Sequence, residues 1–194
     1  MEMNRTHRSA RGFTLIELLV VITIIGMLSA ILIPSILGAL KSAKRARAMS
    51  QIRDLDGAVK RYFAEYGRMP APAGHNGGAD RVYTGAEQAQ VIEILINNSL
   101  DPTLNPRQLT FLDLDPASFG VKTAVEMKSA LRSGSPYKDP WGKPDQPGGE
   151  YGILMDLNFD DRITGTAYGD IRAKVAVYSG GEKNDTAAPP YKTW

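Results

Sequence analysis

The chain contains no cysteine. Disulfides, thiol nucleophiles and cysteine-based zinc sites are therefore excluded, and any extracytoplasmic part must be stable without cross-links. Histidine is nearly as scarce, with two in 194 residues, and no pair of them has metal-ligand spacing. No phosphate-cradling glycine loop and no Ser-His-Asp arrangement of supporting spacing occurs. Asp113 and Asp115 could form a carboxylate pair, but alternate carboxylates in a proline-rich loop are ordinarily solvated. Beyond residue 50 the chain holds 16 Lys and Arg against 19 Asp and Glu. This mildly acidic balance offers no nucleic-acid surface, which would need a basic patch on the folded domain.

The hydrophobic residues, 43% of the chain, are placed unevenly. A large share lies between Phe13 and Leu40, leaving a thin core for the remainder. The run from Leu18 to Leu37 is apolar apart from mildly polar positions such as Thr23 and Ser29. About 20 such residues span the hydrocarbon core of a bilayer as a helix. Arg5, Arg8 and Arg11 precede it, which places the N-terminus in the cytoplasm; Lys41, Lys44, Arg45 and Arg47 follow it and dilute that bias. The second cluster reads as a solvated turn or as a site of attraction to anionic headgroups. A secretory signal peptide is the bland alternative. The apolar run is too long for one, and no small-x-small cleavage site opens a mature domain.

Glu17 breaks the apolar pattern. A carboxylate in such a helix is costly in lipid and calls for a positive partner. Arg11-Gly12-Phe13-Thr14-Leu15-Ile16-Glu17-Leu18-Leu19-Val20-Val21-Ile22 resembles the processing motif of type IV pilins and type II secretion pseudopilins. The resemblance implies a prepilin peptidase cut between Gly12 and Phe13, N-methylation of Phe13, and a Glu17 that meets the N-terminal amine of a neighbouring subunit. Pro34 falls where family members often carry a helix-weakening proline.

Beyond Leu40 the apolar positions fall on one face: Ile52, Leu55, Val59, Tyr62 or Phe63, and Tyr66. The pattern predicts one helix from Phe13 to Tyr66, stopped at Gly67, with Gly26, Pro34 and Gly38 as places to bend. Residues 71–81 read as a Gly- and Pro-rich loop holding a solvated His75. Thr84-Gly85-Ala86-Glu87 and Thr123-Ala124-Val125-Glu126 have capping-box spacing and predict two short helices. Residues 101–120, with three prolines, look irregular. Tyr151 to Met155 is apolar, and the alternation from Ile171 to Tyr178 predicts a half-buried strand.

Asp139-Pro140-Trp141-Gly142-Lys143-Pro144 resembles the Asp-Pro-Trp-Gly-x-Pro segment of major type II secretion pseudopilins. Asp145 stands where that family usually has Tyr, which predicts an extended turn. Residues 175–181 and Trp194 resemble the family's last strand and tail. Asp156, Asn158, Asp160 and Asp161 place oxygens at alternate positions, as Ca²⁺ loops do. The EF-hand pattern fails, however, at Asp161 and Ala167, and a tight acidic hairpin explains the residues equally. The resemblance implies calcium instead in the loop after the last strand, Glu182-Lys183-Asn184-Asp185, which is poor in carboxylates.

The expectation is therefore α+β, with a long N-terminal helix on a small antiparallel sheet of three or four strands. It divides into a leader (1–12), a membrane and assembly helix (13–40) and a periplasmic pilin-like domain (41–194). The resemblance implies a non-enzymatic pseudopilus subunit anchored in the inner membrane. Its expected partners are the prepilin peptidase, other copies or pseudopilins, an inner-membrane assembly platform and lipid, with no nucleic acid. A type IV pilus subunit is the near alternative. A membrane-anchored calcium- or glycan-binding module is the alternative of another class.

Overall fold

The computed structural model describes residues 13–143, 146 and 148–194. The expected cut at Gly12 and the extended turn at Pro144 and Asp145 lie partly or wholly outside the described residues. The chain forms two compact units, Met1–Ser42 and Ala43–Trp194.

Helix α1 runs over Leu15–Tyr66 without interruption, including Pro34. Among the described residues it is the one helix long and apolar enough to cross a membrane. In the first unit its large side chains are exposed on every side, Leu15 at 89% and Met27 at 72%. A helix apolar all round is built for lipid or for other helices. From Ala48 onward one stripe becomes buried: Ala48, Ile52, Leu55, Ala58, Val59 and Tyr62. Phe63 and Tyr66 are partly buried at its edge. The helix ends where Gly67 adopts a φ of 66°, a conformation that glycine takes without steric penalty.

In the second unit, β1 (Arg81–Tyr83), β2 (Tyr151–Met155), β5 (Val175–Ser179) and β6 (Tyr191–Lys192) form an antiparallel sheet in the order β1-β2-β5-β6. Helices α2 (Gly85–Leu95) and α3 (Ala124–Arg132) precede β2, and β3 (Ile163–Thr166) and β4 (Gly169–Ile171) form a separate hairpin. Ile153 faces Val177 across the central pair. Tyr151, Ile153, Met155, Val175 and Val177 join the α1 stripe in the main core. Leu154, Ala176 and Tyr178 point the other way, where Ile163 and Ile171 of the hairpin and Trp194 cover them.

The central strands β2 and β5 are thus buried on both faces, which corrects the expected half-buried strand. The alternating run 171–178 is two elements in two sheets. Ile171 ends β4, a turn closes with the Ala173 N–H on the Ile171 carbonyl at 2.9 Å, and β5 starts at Val175. Thr123 forms the expected capping box with Glu126. Thr84 makes no capping bond; Glu87 pairs instead with Arg81 on β1, at 3.5 Å.

Candidate functional site

The N-terminal site is assembled locally. Phe13 is 78% exposed. The Thr14 N–H and hydroxyl donate to Glu17 Oε2 at 2.9 and 2.8 Å. The Glu17 N–H donates back to Thr14 Oγ1 at 3.3 Å. This reciprocal pattern is a capping box, and it starts the helix at Leu15 rather than at Phe13. It satisfies amide donors that would otherwise face lipid, and it parks the carboxylate at the positive end of the helix dipole. Glu17 is therefore already hydrogen-bonded by Thr14, the residue that follows Phe13.

The acidic loop is also built, to a different end. Asp156 is fully buried. Its two oxygens accept the N–H groups of Phe159 and Asp161 at 2.7 and 2.9 Å. Burial pushes its carboxyl up from the usual range; the bonds from Phe159, Asp161 and Asp160 oppose this, and the neighbouring Asp80 charge adds to it. Asp160 accepts from the Arg162 N–H at 3.0 Å and from the Asn158 amide at 3.2 Å. Asp161 pairs with Lys174 at 3.1 Å. Asp80, not singled out in the sequence, accepts from Leu157 N–H at 2.9 Å and Thr164 N–H at 2.7 Å. The oxygens thus converge on N–H groups and an ammonium, a donor set that does not fit Ca²⁺ as arranged. Among the described residues no group of three or more His, Asp or Glu could hold a metal. In the C-terminal loop, Asn184 Oδ1 accepts the Gly149 N–H at 3.0 Å and Asp185 Oδ1 the Ala188 N–H at 2.9 Å.

The Asp-Pro-Trp-Gly turn is a clamp. Asp139 Oδ1 accepts the N–H groups of Trp141 and Gly142 at 3.0 and 2.9 Å, and Oδ2 accepts the Ser179 hydroxyl at 2.6 Å. The turn is thereby tied to the end of β5. Gly142 is required because a Cβ there would lie 2.4 Å from the Gly149 carbonyl oxygen. Trp141 stacks on Tyr191 of β6, with ring centroids 5.4 Å apart.

Neither remaining candidate is catalytic in its geometry. Asp113 is exposed, while Asp115 caps the 3-10 turn Pro116–Phe119 through the Ala117 N–H. His75 is not solvated as expected. It is half-buried, with Nδ1 3.1 Å from the Tyr83 hydroxyl.

Residues 7–33 match the prokaryotic N-terminal methylation motif. The chain is 30% identical over 134 residues to the type IV major pilin protein PilA of Myxococcus xanthus, covering 65% of this chain and 59% of that protein. It is 39% identical over 61 residues to the type II secretion system core protein G of Pectobacterium carotovorum, covering 31% of this chain and 39% of the relative. The Escherichia coli core protein G is 42% identical over 66 residues, which are 34% of this chain and 46% of the relative. The chain is homologous to type IV pilins and type II secretion pseudopilins. The pilin-like chain thus spans about two fifths to three fifths of the length of these relatives. No solved structure matches it significantly. The methylation motif and the apolar α1 together mark an inner-membrane anchor.

Proposed function

We propose that the pilin-like chain is a filament subunit of a type II secretion-like pseudopilus. A prepilin peptidase cuts between Gly12 and Phe13, and Phe13 is N-methylated. The soluble unit stands in the periplasm, with the N-terminus on the cytoplasmic side until assembly on an inner-membrane platform. Copies of the chain, alone or with other pseudopilins, then pack their apolar helices together.

One observation carries this reading. The only acid in the apolar stretch of α1 from Leu15 to Leu40 sits in its first turn, hydrogen-bonded to Thr14, next to the residue whose amine the cut would free. In a helix bundle drained of water, an amine and a carboxylate attract strongly, and an unpaired carboxylate would bear its desolvation alone. The pair therefore sets the register of neighbouring subunits more than it adds stability. The expected outcome is that Glu17→Ala is cleaved and methylated normally but enters filaments poorly or out of register. Normal incorporation of that variant would refute the role.

A second reading is a subunit of a type IV pilus. The Myxococcus pilin match favours it, because it covers 65% of this chain against 31% for the Pectobacterium core protein G. The Asp-Pro-Trp-Gly clamp favours the pseudopilus. Deleting the gene separates them: a pseudopilus subunit abolishes export of secreted enzymes and leaves surface pili intact. A membrane-anchored module of another kind would show no helix-to-helix crosslinks between copies from α1.

A further inference from the structure

We propose that Lys44 and Arg45, at the start of the second unit, form a docking surface for anionic phospholipid headgroups in the leaflet from which the soluble part emerges. The proposal rests on the reading of α1 as a membrane span.

Depth is the first argument. From Leu18 to Leu40 the helix rises about 34 Å, slightly more than the roughly 30 Å hydrocarbon core. Lys44 lies four residues further on, about 6 Å, within the headgroup layer. Charge is the second. No acidic residue occurs between Glu17 and Asp54, whereas four basic residues fall between 41 and 47. This positive cluster is on the exit side, where the positive-inside bias gives no reason for it.

The third argument is that the two cations have no partner among the described residues. Both are exposed, and neither makes an ion pair or hydrogen bond among the described residues. Arg47 differs. Its guanidinium is drawn to Asp115 at 3.8 Å and Ser118 at 3.2 Å, so its charge is partly spent within the fold. The fourth argument is direction. Lys44 and Arg45 stand one turn before Ala48, the first buried residue of the α1 stripe. Helical Cα–Cβ bonds tilt toward the N-terminus, so both side chains lean back toward the bilayer. Phosphate oxygens at that depth supply the acceptors that the fold withholds.

The test uses the full chain in nanodiscs of mixed phosphatidylcholine and phosphatidylglycerol. Lipids retained on release are counted by native mass spectrometry. A companion chain with Arg5, Arg8 and Arg11 all changed to Gln removes the contribution of the leader. The expected result is phosphatidylglycerol enrichment in that companion chain. Adding Lys44→Gln and Arg45→Gln should lower it on the order of 25-fold, about fivefold per cation near the surface. The charge-preserving pair Lys44→Arg and Arg45→Lys should restore it. A chain that enters nanodiscs without enrichment, or whose enrichment survives the double Gln change, overturns the headgroup contact alone. A chain that fails to enter overturns the membrane reading as well.

Discussion

Gln88 offers the sharpest test of how the soluble unit is held together. It lies on α2 and is fully buried. Its Nε2 donates to the carbonyls of Tyr137 and Tyr151 at 3.0 and 2.9 Å, and its Oε1 accepts the Tyr137 N–H at 2.7 Å. One side chain thereby joins a helix to two backbone segments 49 and 63 residues away. Gln88→Met keeps the length and volume, so little cavity forms, but it removes all three bonds. The Tyr137 carbonyl keeps the Tyr151 N–H at 3.3 Å. The Tyr137 N–H is orphaned, at about 1–3 kcal/mol, and two carbonyls each lose a bond contributing about 0.5–1.5 kcal/mol. The expected loss is about 2–6 kcal/mol, or roughly 4–24 °C in Tm for a unit of this size. Trp141 and Trp194 both lie in the second unit, so tryptophan fluorescence of the full chain in micelles reports its melting. Gln88→Glu keeps the acceptor for Tyr137 but turns an oxygen onto the two carbonyls. That conflict raises the folded-state pKa of the new carboxyl. Stability should then be highest below the unfolded value and fall as pH rises through the folded one. A Gln88→Met midpoint within about 1 °C of wild type would refute this account of the core.

Gly152→Ala would place a Cβ 2.1 Å from the Tyr178 ring, which is wedged by Tyr168 at 5.0 Å and by Trp194. It should cost about 1–3 kcal/mol, visible as a lower urea midpoint at unchanged m. Millimolar Ca²⁺ should leave Tm unchanged, because the loop oxygens already hold N–H groups. A site with Kd tenfold below the added concentration would add about 1.4 kcal/mol, roughly 3–6 °C, and a rise of that size would return calcium to the loop. The N–H groups of Lys122 and Thr123 hold Glu126 below its ordinary value of 4.5. A depressed carboxylate contributes stability above its unfolded pKa and loses it as pH falls through the folded one. Protection factors of the amides in the first turn of α3, taken relative to intrinsic exchange at each pH, should therefore fall below about pH 4.5; constant protection factors down to about pH 3 would contradict the capping box.

Much of the N-terminal half was legible because its signals are local. The processing motif, the apolar run, the switch to a single stripe at Ile52 and the stop at Gly67 all lie within a few helical turns, where periodicity and steric rules act directly. Even the bonds of Glu17 span only three residues. The Thr123 box is equally local and formed as expected; the Thr84 box did not, because Arg81 on β1 takes Glu87.

The rest depended on distant partners. β1 and β6 are three and two residues long, too short for a pattern, and exist because β2 and β5 offer them edges. The split at 172–174 and the double burial of β5 followed from the β3–β4 hairpin folding over the outer face. Gln88 and Asp80 matter through contacts 49 to 84 residues away, which no spacing reveals. The same holds for the acidic loop. Alternating oxygens are legible in sequence, but whether they face a cation or backbone N–H groups depends on where the chain turns. Sequence by itself determined the methylation motif, the apolar run and the long first helix. Tertiary structure decided what the soluble unit does with its polar groups, since only the fold selects their partners.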